Sequence, residues 1–307
     1  AYFVYQAKKA LQAQLEFAGE NGYTDVAGYV ALYEKTDATA EELESAADEL
    51  QQAVTDQMGA GASEENPKFT DLLANPSFDA GNGGWIEDGV GGTPGHQKND
   101  KYQDPEDETI KMDQFCEKWT RPGGASTMHL RQKFGNMPSG RYRLSAVTLA
   151  YNQANLNDIP RGVYLFADAS KYGEKFRAEA HTLKFHGIKN GTPGGADVPA
   201  PRKVVLEFYS RGGDLTVGFM TENTNCNWMG IDDVKFEYLG REGGLVAELE
   251  RTAGKAEAYL QKQMEAQAHF SVAGKAKYEE VLAYSKEAAA NAELTDDDWA
   301  AAIRMMN

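Results

Sequence analysis

Cysteine is nearly absent: the 307-residue chain has two, Cys116 and Cys226, and no CxxC pair. That excludes zinc ribbons and disulfide-stapled scaffolds. A single Cys116–Cys226 disulfide, suited to an oxidising compartment, and two buried free thiols both stay open. Long apolar runs are missing, so no stretch spans a bilayer as a helix. No basic start, apolar stretch and small-residue cleavage site precede the first helical pattern, and Arg304-Met305-Met306-Asn307 reads as mid-helix. The expectation is a chain whose leader has been removed, or a piece of a longer protein. Basic residues are scarce, 31 Lys and Arg against 47 Asp and Glu, for a net charge of −16. Three basic against thirteen acidic residues leave −10 on residues 1–66; 20 against 22 leave −2 on 67–240; 8 against 12 leave −4 on 241–307. Phosphate neutralisation needs clustered Lys and Arg, so the charge balance argues against nucleic acid and anionic membrane partners, and the lack of long apolar runs argues against membrane insertion.

Catalytic signatures are also missing. There is no GxSxG and no phosphate loop. His96, His129, His181, His186 and His269 are scattered. Glu87-Asp88 are neighbours in a loop, and Asp104, Glu106, Asp107 and Glu108 read as a solvated charge cluster. No two acids stand out as a glycosidase pair, so the chain reads as non-catalytic.

What is present is a change of period. Phe3, Ala7, Leu11, Leu15 and Ala18 share one helical face. A short helix follows over Thr24–Glu34, and Thr39-Ala40-Glu41-Glu42 is a capping-box pattern opening a third with Leu43, Ala46, Ala47, Leu50, Ala53 and Val54 as its stripe. Gly59 to Pro67 is small, polar and broken by Gly and Pro, the best linker in the chain. From Asn75 to Leu239 the period becomes two: 127–134, 142–149, 204–208, 215–219 and 228–238 read as strands. Met137-Pro138-Ser139-Gly140 and Arg211-Gly212-Gly213-Asp214 read as hairpin turns, and Ile86 to Asp113 as a long polar loop with Tyr102, a candidate lid. After Gly243-Gly244 helical spacing returns in three segments, the last opened by Thr295. The expectation is a multidomain α and β chain: helices over 1–66, an antiparallel β-sandwich over 67–240, helices over 241–307, with one helical bundle or two left open.

Asn75-Pro76-Ser77-Phe78-Asp79 with Gly83-Gly84-Trp85, then Gln132 with Met137 to Leu144, then Asn227-Trp228-Met229-Gly230-Ile231-Asp232-Asp233-Val234 occur in that order over residues 75–240. Together they resemble the opening strand, central hairpin and closing strand of galactose-binding-like jelly rolls, the β-sandwich of many carbohydrate-binding modules. The flanking segments are similar to short three-helix repeats joined to such modules in bacterial cell-surface glycan-processing proteins. The resemblance implies export to the cell surface or beyond, a poly- or oligosaccharide ligand as in polysaccharide utilisation, and neighbouring domains of a larger surface protein. It places Trp85 and Trp228 in the core.

Two sites follow as expectations. Trp228, Gly230, Asp232, Val234, Phe236 and Tyr238 share a parity that reads as core-facing, which buries Asp232. A buried carboxylate needs a cation, an Arg or several N–H donors. Ca2+ takes carboxylate and carbonyl oxygens, and the resemblance pairs Asp232 with Asp79 as its ligands. A sugar needs an aromatic plane ringed by amides. Tyr151, Asn152 and Asn155 form the best such cluster, with Asn223 and Asn225 a second; Trp119 stands open between core and site. The competing reading is a structural spacer or protein-interaction segment without a sugar ligand.

Overall fold

A computed structural model describes residues 2–89, 93–185, 188–189, 192–193, 199–241, 243–265, 272–291 and 293–306. His186 and His269 lie outside the described residues. The chain divides into two compact units, residues 1–240 and 241–307.

In the first unit, α1 (Tyr2–Glu20), α2 (Ala27–Glu34) and α3 (Ala40–Met58) precede the strands. Ala7, Leu11 and Ala18 of α1 meet Leu43, Ala46, Ala47, Leu50 and Val54 of α3 in one apolar core, while Phe3 is exposed. Thr39 caps α3 as its spacing predicts: its side chain accepts the Glu42 N–H, and the Glu42 carboxylate accepts the Thr39 N–H. The predicted linker folds onto the sandwich. Its Glu64 accepts from Arg141 at 2.7 Å and Arg143 at 2.5 Å, Gly59 abuts the Tyr238 ring, and Gln51 of α3 donates to Asn136 at 2.7 Å.

The strands are β1 (Ile86–Glu87), β2 (Gly95–Gln103), β3 (Lys111–Trp119), β4 (His129–Met137), β5 (Gly140–Tyr151), β6 (Val163–Ala169), β7 (Glu174–Glu179), β8 (Ile188–Lys189), β9 (Thr192–Pro193), β10 (Arg202–Ser210), β11 (Gly213–Thr221) and β12 (Trp228–Gly240). They form a five-stranded sheet, β1-β4-β11-β6-β7, facing a seven-stranded sheet, β10-β5-β12-β3-β2-β8-β9, with every described pairing antiparallel. This is a β-sandwich of the jelly-roll kind with helical segments. Between the sheets Phe134, Phe236, Tyr142, Phe208 and Phe176 form a column of stacked rings, centroids 4.7–5.5 Å apart. Cys116 and Cys226 are buried free thiols, and burial pushes both thiol pKa values up.

Three expectations fail here. Neither predicted turn closes a hairpin. β4 and β11 belong to one sheet and β5 and β10 to the other, so Met137 to Gly140 and Arg211 to Asp214 are arches that carry the chain between layers. Positive φ at Gly140, Gly212 and Gly213 permits the sharp change of direction. A period of two reports which face is buried, not which strand is the partner. The Ile86–Asp113 stretch contains β1, β2 and the start of β3, with Tyr102 buried. In the last strand Asp233 has φ +43° and the register shifts between Asp232 and Lys235. This bulge reverses the parity: Met229 and Ile231 enter the core, then Val234, Phe236 and Tyr238, while Trp228, Gly230 and Asp232 face outward.

In the second unit, α4 (Gly244–Glu265), α5 (Val272–Ala290) and α6 (Asp296–Met306) pack on one another through Leu249, Ala253, Leu260, Ala288, Ala302 and Ile303. Thr295 and Asp298 exchange side-chain-to-backbone bonds at the start of α6, and the Trp299 indole donates to the Ala288 carbonyl at 3.1 Å. No described helix is long and apolar enough to cross a membrane.

Candidate functional site

The outward face of the seven-stranded sheet carries a second aromatic cluster: Tyr102, Phe115, Tyr151 and Trp228, with Met112, Val147 and Leu149. Gly230 makes room for it, since a Cβ there would lie 2.8 Å from the Phe115 ring. Register sets a row of rings across three neighbouring strands. Trp119 of β3 stands opposite Trp228 of β12, and Trp228 opposite Tyr151 of β5. Their exposure differs sharply: Trp228 is 6 % exposed and Tyr151 8 %, whereas Trp119 is 55 % exposed. Tyr151 and Trp228 are therefore packing rings, with centroids 5.5 Å apart, and Trp119 is the accessible plane at the end of the row.

Hydrogen bonds fix that plane. The Trp119 Nε1–H donates to Gln153 Oε1 at 2.7 Å. The same oxygen accepts from Asn227 Nδ2 at 2.9 Å, and Asn227 Oδ1 accepts the Gln153 N–H at 2.6 Å. Asn227 is fully buried and also donates to the Thr120 carbonyl at 2.8 Å, so it ties the residue after Trp119 to the loop after β5. Two residues before Trp119 on the same face, Glu117 accepts the Trp228 indole N–H at 2.8 Å and a bond from Gln97 of β2. Exposed indole, half-buried carboxylate and two carboxamides share one end of one sheet face. Such a set stacks on an apolar ring face and hydrogen-bonds the hydroxyls around it.

The other predicted contact residues have structural tasks. Asn152 and Asn155 both donate to Asp158, at 3.1 and 2.6 Å, closing the loop after β5 on itself. Asn225 accepts the Arg161 N–H at 2.9 Å and donates to the Ile159 carbonyl at 3.0 Å, latching two loops together. Asn223 takes a left-handed turn conformation, φ +51°. Sequence reading passes over Glu117 and Gln97 and takes Asn227 only as the first residue of the closing-strand motif. Glu117 was open to it, since a two-residue spacing from Trp119 puts both on one strand face.

Asp232 is 7 % exposed, and its carboxylate accepts backbone N–H groups of Asp233 and Asp113. Burial, with smaller contributions from the neighbouring charges of Asp233 and Asp79, pushes it up to about 7. Asp79 is exposed, accepting from Ser77 at 2.7 Å and Gln114 at 3.4 Å. Among the described residues no three His, Cys, Asp or Glu side chains group as metal ligands. The two N–H donors favour the ionised carboxylate, and burial outweighs them. The folded protein holds the Asp232 proton above the pH where an unfolded Asp releases it, so the stability it contributes is full below about pH 4 and is lost as pH rises to about 7. Melting temperature of the wild type, compared with Asp232→Asn at pH 5 and pH 8, is expected to show the wild type losing more stability than the variant over that interval. Equal losses contradict the assignment.

The remaining acids are held locally. Glu87 accepts the Gly89 N–H at 2.8 Å and lies 4.0 Å from the buried Lys118. Asp88 pairs with His129 at 2.6 Å and Arg131 at 2.8 Å. Asp104, read above as solvated, is buried; it accepts the Glu106 N–H at 2.8 Å and lies 3.5 Å from Lys184.

No protein-family description and no curated protein matches the sequence. Among solved structures, a family 4 carbohydrate-binding module aligns at 14 % identity over 54 % of this chain and 99 % of its own, with a TM-score of 0.30. The CBM22-1 xylan-binding domain of Paenibacillus barcinonensis Xyn10C aligns at 10 % identity over 53 % and 91 %, TM-score 0.31. Tailspike protein 4 of bacteriophage CBA120 aligns at 9 % identity over 54 % of this chain, TM-score 0.33, and the match spans about a fifth of the tailspike, 21 %. The chain is similar to each in part of its length, and its fold assignment rests on the strand order given above.

Proposed function

We propose that this chain is a non-catalytic saccharide-binding protein whose contact surface is the Trp119 end of the outward face of the seven-stranded sheet. The observation that carries the reading is the Trp119 indole, 55 % exposed yet held in one orientation by Gln153. An exposed ring already fixed in place loses little freedom on binding, so stacking against a sugar goes into affinity. The names of the two module neighbours, one of them a xylan binder, lead to the same ligand class. Secretion or cell-surface display, and neighbouring domains of a larger protein, belong to the same proposal.

The test is titration of the intact chain against plant and host polysaccharides. At least one is expected to bind, and Trp119→Ala is expected to weaken it by at least about tenfold, the worth of one aromatic contact. An unaltered affinity in Trp119→Ala contradicts the site. The spacer reading draws on a different observation, the use of Asn152, Asn155 and Asn225 as loop ties. It expects no glycan to bind a well-folded chain. Calcium held by Asp79 and Asp232 is a subordinate proposal. At pH 8, where Asp232 is charged, a bound ion raises the melting temperature in Ca2+ over that in EDTA; an unchanged value removes calcium from the account.

A further inference from the structure

We propose that Glu117 sets the ligand class of this site: an uncharged saccharide, held by hydroxyls that donate to the carboxylate, with polyanionic glycans turned away. The inference rests on the reading of Trp119 as a sugar platform. Glu117 and Trp119 leave the same face of β3 about 7 Å apart, so a ring stacked on the indole brings the next stretch of saccharide over the carboxylate. Both Glu117 oxygens already accept one bond, Oε2 from Trp228 and Oε1 from Gln97. Each carboxylate oxygen has two acceptor positions, so one bond apiece does not saturate this part-exposed carboxylate. The two existing donors lock the carboxylate in place, in the manner that Gln153 locks the indole.

An ionised carboxylate accepts hydrogen bonds and donates none. Neutral sugars present hydroxyl donors along their edges, and a bond from hydroxyl to carboxylate is among the stronger kinds. A uronate or sulfate offers no donor at that point and brings like charge next to a half-buried anion, where water screens it weakly. Lys118 is the neighbour of Glu117 in sequence. It belongs to the opposite face of β3, buried and 4.0 Å from Glu87. The sandwich segment itself is close to neutral, −2 over residues 67–240, so it supplies no positive field to attract a polyanion.

The experiment is affinity electrophoresis and calorimetry of the full chain against neutral β-glucan, galactan, arabinan and mannan, and against polygalacturonate and chondroitin sulfate, at low and high salt. The expected result is retardation by a neutral polymer, no retardation by either polyanion at low salt, and at least about tenfold weaker neutral binding in Glu117→Gln, the loss of a charged hydrogen bond. Polyanion binding equal to or stronger than neutral binding overturns the proposal, and does so without any variant. Unchanged neutral affinity in a Glu117→Gln protein that melts as the wild type does also overturns it. Binding that depends on Trp119 but not on Glu117 leaves the platform standing and removes only the selectivity. Failure of every polymer to bind the wild type removes both.

Discussion

Glu174→Ala is expected to cost about 3–5 kcal/mol of stability, the range for removing one partner of a buried ion pair. Glu174 opens β7 on the edge of the five-stranded sheet and is 4 % exposed. Its Oε1 accepts from Arg211 Nε at 2.8 Å, and its Oε2 accepts the Arg211 N–H at 3.4 Å. Arg211 sits in the arch from β10 to β11, its guanidinium 3.9 Å from the Tyr172 ring centroid. The pair thus fastens the edge of one layer to the crossover from the other. Alanine takes away the buried counter-charge while the guanidinium stays in place. A double variant, Glu174→Leu with Arg211→Met, is expected to recover most of the loss, because an apolar pair carries no desolvation cost. Urea unfolding followed through the tryptophan signal reads the effect, since Trp85, Trp119 and Trp228 all belong to the first unit. A loss below about 1 kcal/mol, the level of a surface pair, contradicts the account.

Gly218→Ala is expected to be about as severe, at roughly 3 kcal/mol or more. Gly218 lies mid-strand in β11, paired with Arg131 of β4 and Phe166 of β6. A Cβ there would stand 2.0 Å from the Leu130 carbonyl oxygen and 2.9 Å from the Arg131 Cα. These are backbone atoms of a neighbouring ladder, so no side-chain rotation relieves the overlap and the two central strands must part. The expected readout is a large fall in melting temperature with loss of near-UV ellipticity. Melting within a degree or two of wild type contradicts the β4–β11 register.

These two sites differ in how visible they are in the sequence. Gly218 sits within the run Leu215, Val217, Phe219 that identifies β11, and a glycine inside such a run signals close backbone approach. Glu174 gives no such signal, because its burial depends on an arch whose partner strands lie in different sheets. The same distinction runs through the fold. Thr39 with Glu42 announces the start of α3, and the alternation in 142–149 announces β5, since caps and faces are local properties. Strand partners are not local, so Met137 to Gly140 looked like a hairpin turn although β4 and β5 belong to different layers. One residue of left-handed backbone at Asp233 reversed the face of half a strand and turned Asp232 and Trp228 outward.

The candidate site divides in the same way. Trp119 was recognisable as an aromatic of undecided environment, and the structure exposes it. Tyr151 was recognisable as a ring beside amides, but Phe185 and Trp228 pack against it. Asn152, Asn155 and Asn225 carry the right chemistry for a sugar and spend it on Asp158, Arg161 and Ile159. Gln153 and Glu117 are tied by hydrogen bonds too, so what sets them apart is their place beside the exposed Trp119 indole.

The most direct test of the platform is the tryptophan emission of the intact chain during titration with neutral polysaccharide. Trp85 and Trp228 are buried, so a ligand stacking on the outward face should perturb Trp119 among the three indoles of this unit. The account predicts a saturable shift in emission that disappears in Trp119→Phe while the melting temperature holds. A shift that persists in Trp119→Phe, or binding without any change in emission, contradicts it.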